Sequence, residues 1–127
     1  MGEEFNPSKP IYLQLIERIS HQIVRKELSA GEKLPSVREM AISSGVNPNT
    51  VQRTYSELER MGIVETRRGQ GTFVTEEENI LSSLRENLKE KQVIQFINDM
   101  REMGYSDREM VEGLQEYLQK EGDTKHD

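Results

Sequence analysis

Apolar residues recur along this chain in blocks of differing period, and each block predicts its own element. From Pro10 onward, Tyr12, Leu15, Ile16, Ile19 and Ile23 stand at helical spacing with polar residues between them, which predicts a first helix opening on the proline and closing near Glu27. A loop punctuated by Gly31 and Pro35 leads into Ser36-Val37-Arg38-Glu39, a Ser-x-x-Glu capping box in which each end satisfies a backbone amide of the other. The short second helix turns Val37, Met40 and Ala41 inward and ends at Gly45, a residue free to take the left-handed backbone of a helix C-terminus. Asn47 then suits the N-cap of a third helix, and Pro48 the first helical position, where its missing N–H costs nothing. Val51, Tyr55, Leu58 and Met61 form the buried stripe of that helix, and Gly62 stops it.

The period then changes. Ile63 to Val74 holds two short β-prone runs around a basic, glycine-containing tip, Arg67-Arg68-Gly69-Gln70-Gly71, and reads as a hairpin. Three helices, the second and third joined by a tight glycine turn, followed by a two-stranded wing, make a winged helix-turn-helix. Beyond it, Thr75 to Glu78 offers another capping box, and Ile80, Leu81, Leu84, Leu88, Val93, Phe96, Ile97 and Met100 trace a long helix to Gly104. Ser106 to Glu109 caps a last helix carrying Met110, Val111, Leu114, Tyr117 and Leu118. The expected fold is therefore mainly α with a small β-hairpin: a winged helix-turn-helix over residues 1–75, a two-helix dimerisation region over 76–121 and a disordered tail over 122–127.

Composition changes this picture in one respect. The 127 residues suffice for one real core, cysteine is absent, and neither a spanning apolar run nor a leader-like start is present, so a cytoplasmic protein without disulfides or thiolate metal sites is expected. The formal net charge of -6 argues against a nucleic-acid partner. That average conceals a division: residues 1–75 carry ten Lys+Arg against nine Asp+Glu, whereas residues 76–127 carry seven against fourteen.

A recognition helix offers its N-terminal residues to base edges while the preceding helix crosses the backbone. Opposite the apolar stripe of the third helix stand Asn49, Gln52, Arg53 and Ser56, with Thr50 beside them. Amides of this kind can bridge adenine and arginine can bridge guanine. Arg38 and the amides at Ser36 can reach a phosphate, and the wing residues Arg67, Arg68, Gly69, Gln70 and Gly71 can approach the sugar-phosphate edge. Plainer explanations exist for each feature taken singly: the polar face of any amphipathic helix, a surface ion pair for Arg38, a turn that needs glycine. Their concurrence favours DNA. An enzyme is disfavoured, because His21 lies on the polar side of the first helix, His126 in the tail, and the carboxylates at surface or capping positions; no catalytic, metal or cofactor site is expected. A protein-interaction module is the other alternative, and it would not need Arg38, Arg53, Arg67 and Arg68 on one side.

The stretch LPSVREMAISSGVNPNTVQRTYSELERMGIVETRRGQGTFV, Leu34 to Val74, closely resembles the DNA-binding domain of GntR-family bacterial transcription regulators, and the likeness runs from Tyr12 to Val74. It implies DNA contacts for Ser36, Arg38, Asn49, Thr50, Gln52, Arg53, Gly69, Gln70 and Gly71, and the junction residues Asn47 and Pro48 join the expected DNA-binding set. The short remainder resembles the YtrA-type branch, which implies a homodimeric repressor of an operon that often encodes a neighbouring transporter. Physics also asks for a partner, since Leu84, Leu88, Val93, Phe96, Ile97, Met100, Val111, Leu114 and Leu118 sit on helices with few residues to cover them. The expected partners are operator duplex DNA and a second copy of the chain, without a membrane. A small-molecule effector has no signature beyond a groove for which Arg85, Arg101 and Tyr105 are candidate liners.

Overall fold

The computed structural model describes residues 5–125, in the order α1 (Ile11–Val24), α2 (Val37–Ser44), α3 (Pro48–Arg60), β1 (Val64–Arg67), β2 (Gly71–Val74), α4 (Glu78–Glu102) and α5 (Asp107–Lys125). Helix α1 closes at Val24, short of the expected Glu27. Arg25 caps it, Lys26 turns left-handed at φ 67°, and the amides of Glu27 and Leu28 both return to the Gln22 carbonyl at 2.8 and 3.1 Å. A lysine in that conformation carries no sequence signal, which is why periodicity overran the end.

The capping chemistry of α2 and α3 is as the sequence predicts. Ser36 Oγ accepts from the Glu39 amide at 3.0 Å and the Ser36 amide donates to Glu39 Oε1 at 2.9 Å. The bond from the Ser36 amide first, and then the Ser36 side chain, hold the Glu39 carboxyl below the usual carboxylate range. Gly45 sits at φ 68°, ψ 33°, where a side chain would be strained, and lets buried Val46 follow at once. Asn47 Oδ1 accepts from the Asn49 amide at 2.8 Å, with Pro48 in the first helical turn.

The buried face of α3 differs from expectation at its end. Val51, Tyr55 and Leu58 are buried, but Met61 is 46% exposed because the helix stops at Arg60 and Met61 is its C-cap. Fully buried Thr54 takes a place in the stripe, its hydroxyl donating to the Thr50 carbonyl at 2.9 Å. A satisfied hydroxyl can be buried at little cost, and a count of apolar residues misses it. These side chains meet Leu15, Ile19 and Ile23 of α1 together with Leu34, Ala41, Val46, Ile63, Val64 and Val74 in one core.

The chain divides into two compact units between Arg85 and Glu86, ten residues beyond the expected boundary. The first turns of α4 belong to the winged unit: Leu84 is buried, and Ile80 Cδ1 lies 3.3 Å from where a Cβ on Gly62 would be. Leu84 is thus already covered within the single chain and leaves the set of residues offered for dimerisation. The start of α4 also differs. Thr75 Oγ1 accepts from the Glu77 amide at 3.1 Å, while the amides of Ile80 and Leu81 return to the Glu77 carbonyl, so Glu77 and not Thr75 is the cap.

In the second unit, the end of α4 and α5 are joined through Gly104 and a Ser106–Glu109 capping box with bonds of 2.9 and 3.2 Å. Arg101 pairs with Asp107 at 3.2 Å, and Met110 is buried. The expected disordered tail is corrected for residues 122–125: α5 runs to Lys125, since extending an established helix fixes one residue per hydrogen bond gained. His126 and Asp127 lie outside the described residues. Among the described residues, no helix is long and apolar enough to cross a membrane.

Tyr55 gives the winged unit a measurable alkaline limit. Its hydroxyl donates to the Pro35 carbonyl at 2.7 Å, and burial first, then the Glu39 charge, push its phenol up to about 12 from 10.0. A raised folded value means that the contribution is whole below pH 10 and is lost as pH climbs through 12. The denaturation midpoint of wild type should therefore fall more steeply than that of Tyr55→Phe above pH 10, and run parallel to it below. Parallel curves through pH 12 would refute the assignment.

Candidate nucleic-acid interface

Helix α3 lies against α1 and α2 through its buried stripe, which leaves Asn49, Gln52, Arg53 and Ser56 exposed, with Thr50 half-buried beside them. The cap at Asn47 and Pro48 ends α3 in solvent, so its first turn is open to a duplex. Arg53 is not loose: its guanidinium stacks 3.7 Å above the centroid of the Tyr12 ring of α1. A cation held on an aromatic face keeps its planar edge free for hydrogen bonds. Helical spacing places Tyr12 on the apolar side of α1, and this second task is invisible to it.

The acidic residues of α3 stand further along it. Glu57 pairs with Arg60 at 2.8 Å, and that hydrogen bond, ahead of the charges of Arg60 and Arg53, holds its carboxyl below the ordinary range. Ser36 and Arg38 are exposed at the start of α2, and Arg38 has no ion-pair partner among the described residues.

In the wing the register is Val64↔Val74, Glu65↔Phe73, Thr66↔Thr72 and Arg67↔Gly71. That pairing narrows the tip to Arg68-Gly69-Gln70, closed by the Gln70 amide on the Arg67 carbonyl at 2.8 Å. The two wing arginines, which the sequence does not distinguish, now separate. Arg67, the last residue of β1, lies over the Phe73 ring at 4.2 Å and pairs with Glu65 at 2.9 Å, so its charge is engaged by the neighbouring Glu65–Phe73 pair of the ladder. Arg68 is exposed at the tip. Lys33, absent from the sequence-predicted set, borders the same region through an antiparallel bridge to Phe73. The second-unit residues Val93, Val111, Leu114 and Leu118 are exposed, and Leu88, Phe96, Ile97 and Met100 are half-buried.

An exposed, amide- and arginine-bearing helix start, set between a capped helix and a glycine-tipped wing, defines a winged helix-turn-helix DNA-binding domain. The chain belongs to the GntR family of bacterial regulatory proteins, whose family model matches residues 11–74. It is 53% identical over 119 residues to the HTH-type transcriptional regulator YhcF of Bacillus subtilis, covering 94% of this chain and 98% of that one. It is 43% identical over 89 residues to the HTH-type transcriptional repressor YtrA of the same organism, covering 65% of this chain and 68% of that one. A GntR-family transcriptional regulator from Listeria monocytogenes has the same fold, with a TM-score of 0.83 at 37% identity over 88% of this chain and 98% of the other. The DNA-binding domain of AraR in complex with operator ORE1 matches with a TM-score of 0.51 at 31% identity, over 59% of this chain and 89% of its own. These relatives are transcriptional regulators and not enzymes.

Proposed function

We propose that the protein is a homodimeric transcriptional repressor, acting in the cytoplasm, that reads an inverted-repeat operator near its own gene or a neighbouring transporter operon. The observation that carries this reading is the exposed first half of α3, where Asn49, Thr50, Gln52 and Arg53 share one open face. Arg53 serves guanine, Asn49 and Gln52 adenine, while Ser36, Arg38, Arg68 and the glycines of the wing meet the backbone. The repressor name of the YtrA relative and the operator complex of AraR support the same reading.

The dimer rests on a separate observation. Tyr117 and Leu118 are 66% and 69% exposed, and Val93, Ile94, Val111 and Leu114 are each about half exposed, in a unit whose one buried apolar side chain among the described residues is Met110. Apolar surface of that extent calls for a partner, and a two-fold pair reuses the same face on both copies. Its two recognition helices would then meet half-sites about 34 to 36 Å apart, or a multiple of that.

Footprinting of the purified protein on DNA around its own gene tests this directly. A protected inverted repeat is expected, with affinity falling steeply as salt rises despite the acidic net charge, because only the local basic face meets phosphate. Uniform cleavage, or a flat salt response, would leave the winged unit as a protein-interaction module.

A further inference from the structure

The wing is not a free hairpin. Residues 31–34 run along β2: the Gly31 amide donates to the Val74 carbonyl at 2.9 Å, Val74 to Glu32 at 2.8 Å and Leu34 to Thr72 at 2.8 Å. This lays the Lys33 stem across Gly71, so close that a Cβ there would stand 2.7 Å from Lys33 Cε. At φ 127° and under that stem, position 71 suits glycine alone while Lys33 stays in place.

Lys33, Ser36, Tyr55, Arg67, Gln70 and Gly71 line a cleft of about 360 Å³ between the start of α2 and the wing. Arg67 is spent on Glu65 and Phe73. The Lys33 ammonium has no ion-pair partner among the described residues. Glu39 feels its charge, but Oε1 of that carboxylate already accepts the Ser36 amide. A DNA strand touching both Ser36 and the wing tip must cross this cleft. We propose that Lys33 receives a backbone phosphodiester there, taking the part that spacing would give to Arg67. The proposal rests on the DNA-binding reading above. A compact ammonium on a stem fixed by Gly71 serves as a point charge for phosphate and carries no base preference.

The test compares wild type with Lys33→Met, which keeps the stem on Gly71 and removes the charge, on the footprinted operator and on an unrelated duplex. Lys33→Met should bind both about fivefold more weakly at 0.15 M salt, with the log affinity against log salt shallower by about 0.9, the signature of one lost phosphate contact. Its thermal midpoint should match wild type. A duplex bearing a neutral methylphosphonate at the phosphate beside the wing should weaken wild type but not Lys33→Met. Wild-type affinity and slope in Lys33→Met, or weakened binding at an unchanged slope, would overturn the phosphate role while leaving the regulator reading intact. Failure of wild type to bind either duplex would overturn both.

Discussion

A chain ending at Arg85 should remain folded, sediment as a monomer and bind its operator roughly 10²- to 10⁴-fold more weakly than the full protein. The core residues from Leu15 to Leu84 all precede the cut, and Met110 is the one buried apolar residue that follows it among those described. What the cut removes is linkage. Two half-sites held by joined subunits bind with the effective concentration of a tether, and separate subunits lose that factor without losing a contact. Sedimentation with operator titration checks both halves of the expectation, and a dimeric fragment would move the interface into the winged unit. The cut must fall after Arg85. Ending the chain at Thr75 strips Leu84 from the core, a loss of about 1.5 to 3 kcal/mol for one buried leucine, and would confuse instability with lost dimerisation.

Replacing Arg53 by alanine should weaken operator binding by about 1 to 3 kcal/mol and relax preference at one base pair, with a smaller effect on unrelated DNA. The fold should survive, because the guanidinium is exposed and its stacking on Tyr12 contributes only about 0.5 to 1 kcal/mol. Arg53→Lys should not restore specificity, since an ammonium neither presents a planar fork nor stacks in the same way. Binding isotherms on operator and single-base variants distinguish these outcomes. Wild-type affinity in Arg53→Ala would take Arg53 out of the readout.

The residues whose parts were legible early are those that act within a few positions. Ser36 with Glu39, Ser106 with Glu109, Gly45, Asn47 and Pro48 occupy the places their local chemistry predicts. The open face of α3 follows from the same period that buries Val51, Tyr55 and Leu58. Misreadings cluster where local preference yields to packing. Met61 has the right spacing but lies past the helix end, Lys26 breaks α1 without being glycine, and Thr75 stands two residues before the cap, its hydroxyl taken by the Glu77 amide.

By itself, then, the sequence determined the class of protein, the order of the elements and the helix face turned to solvent, because capping and amphipathic period are properties of neighbours along the chain. Only the tertiary structure decided that Lys33 lies on Gly71, that Arg67 is held by Glu65 and Phe73 while Arg68 is exposed at the tip, that Tyr12 carries Arg53, and that the winged unit extends to Arg85. Most of those contacts join residues far apart in sequence, and the Arg67 pairing depends on strand register and rotamer; neither is visible to periodicity.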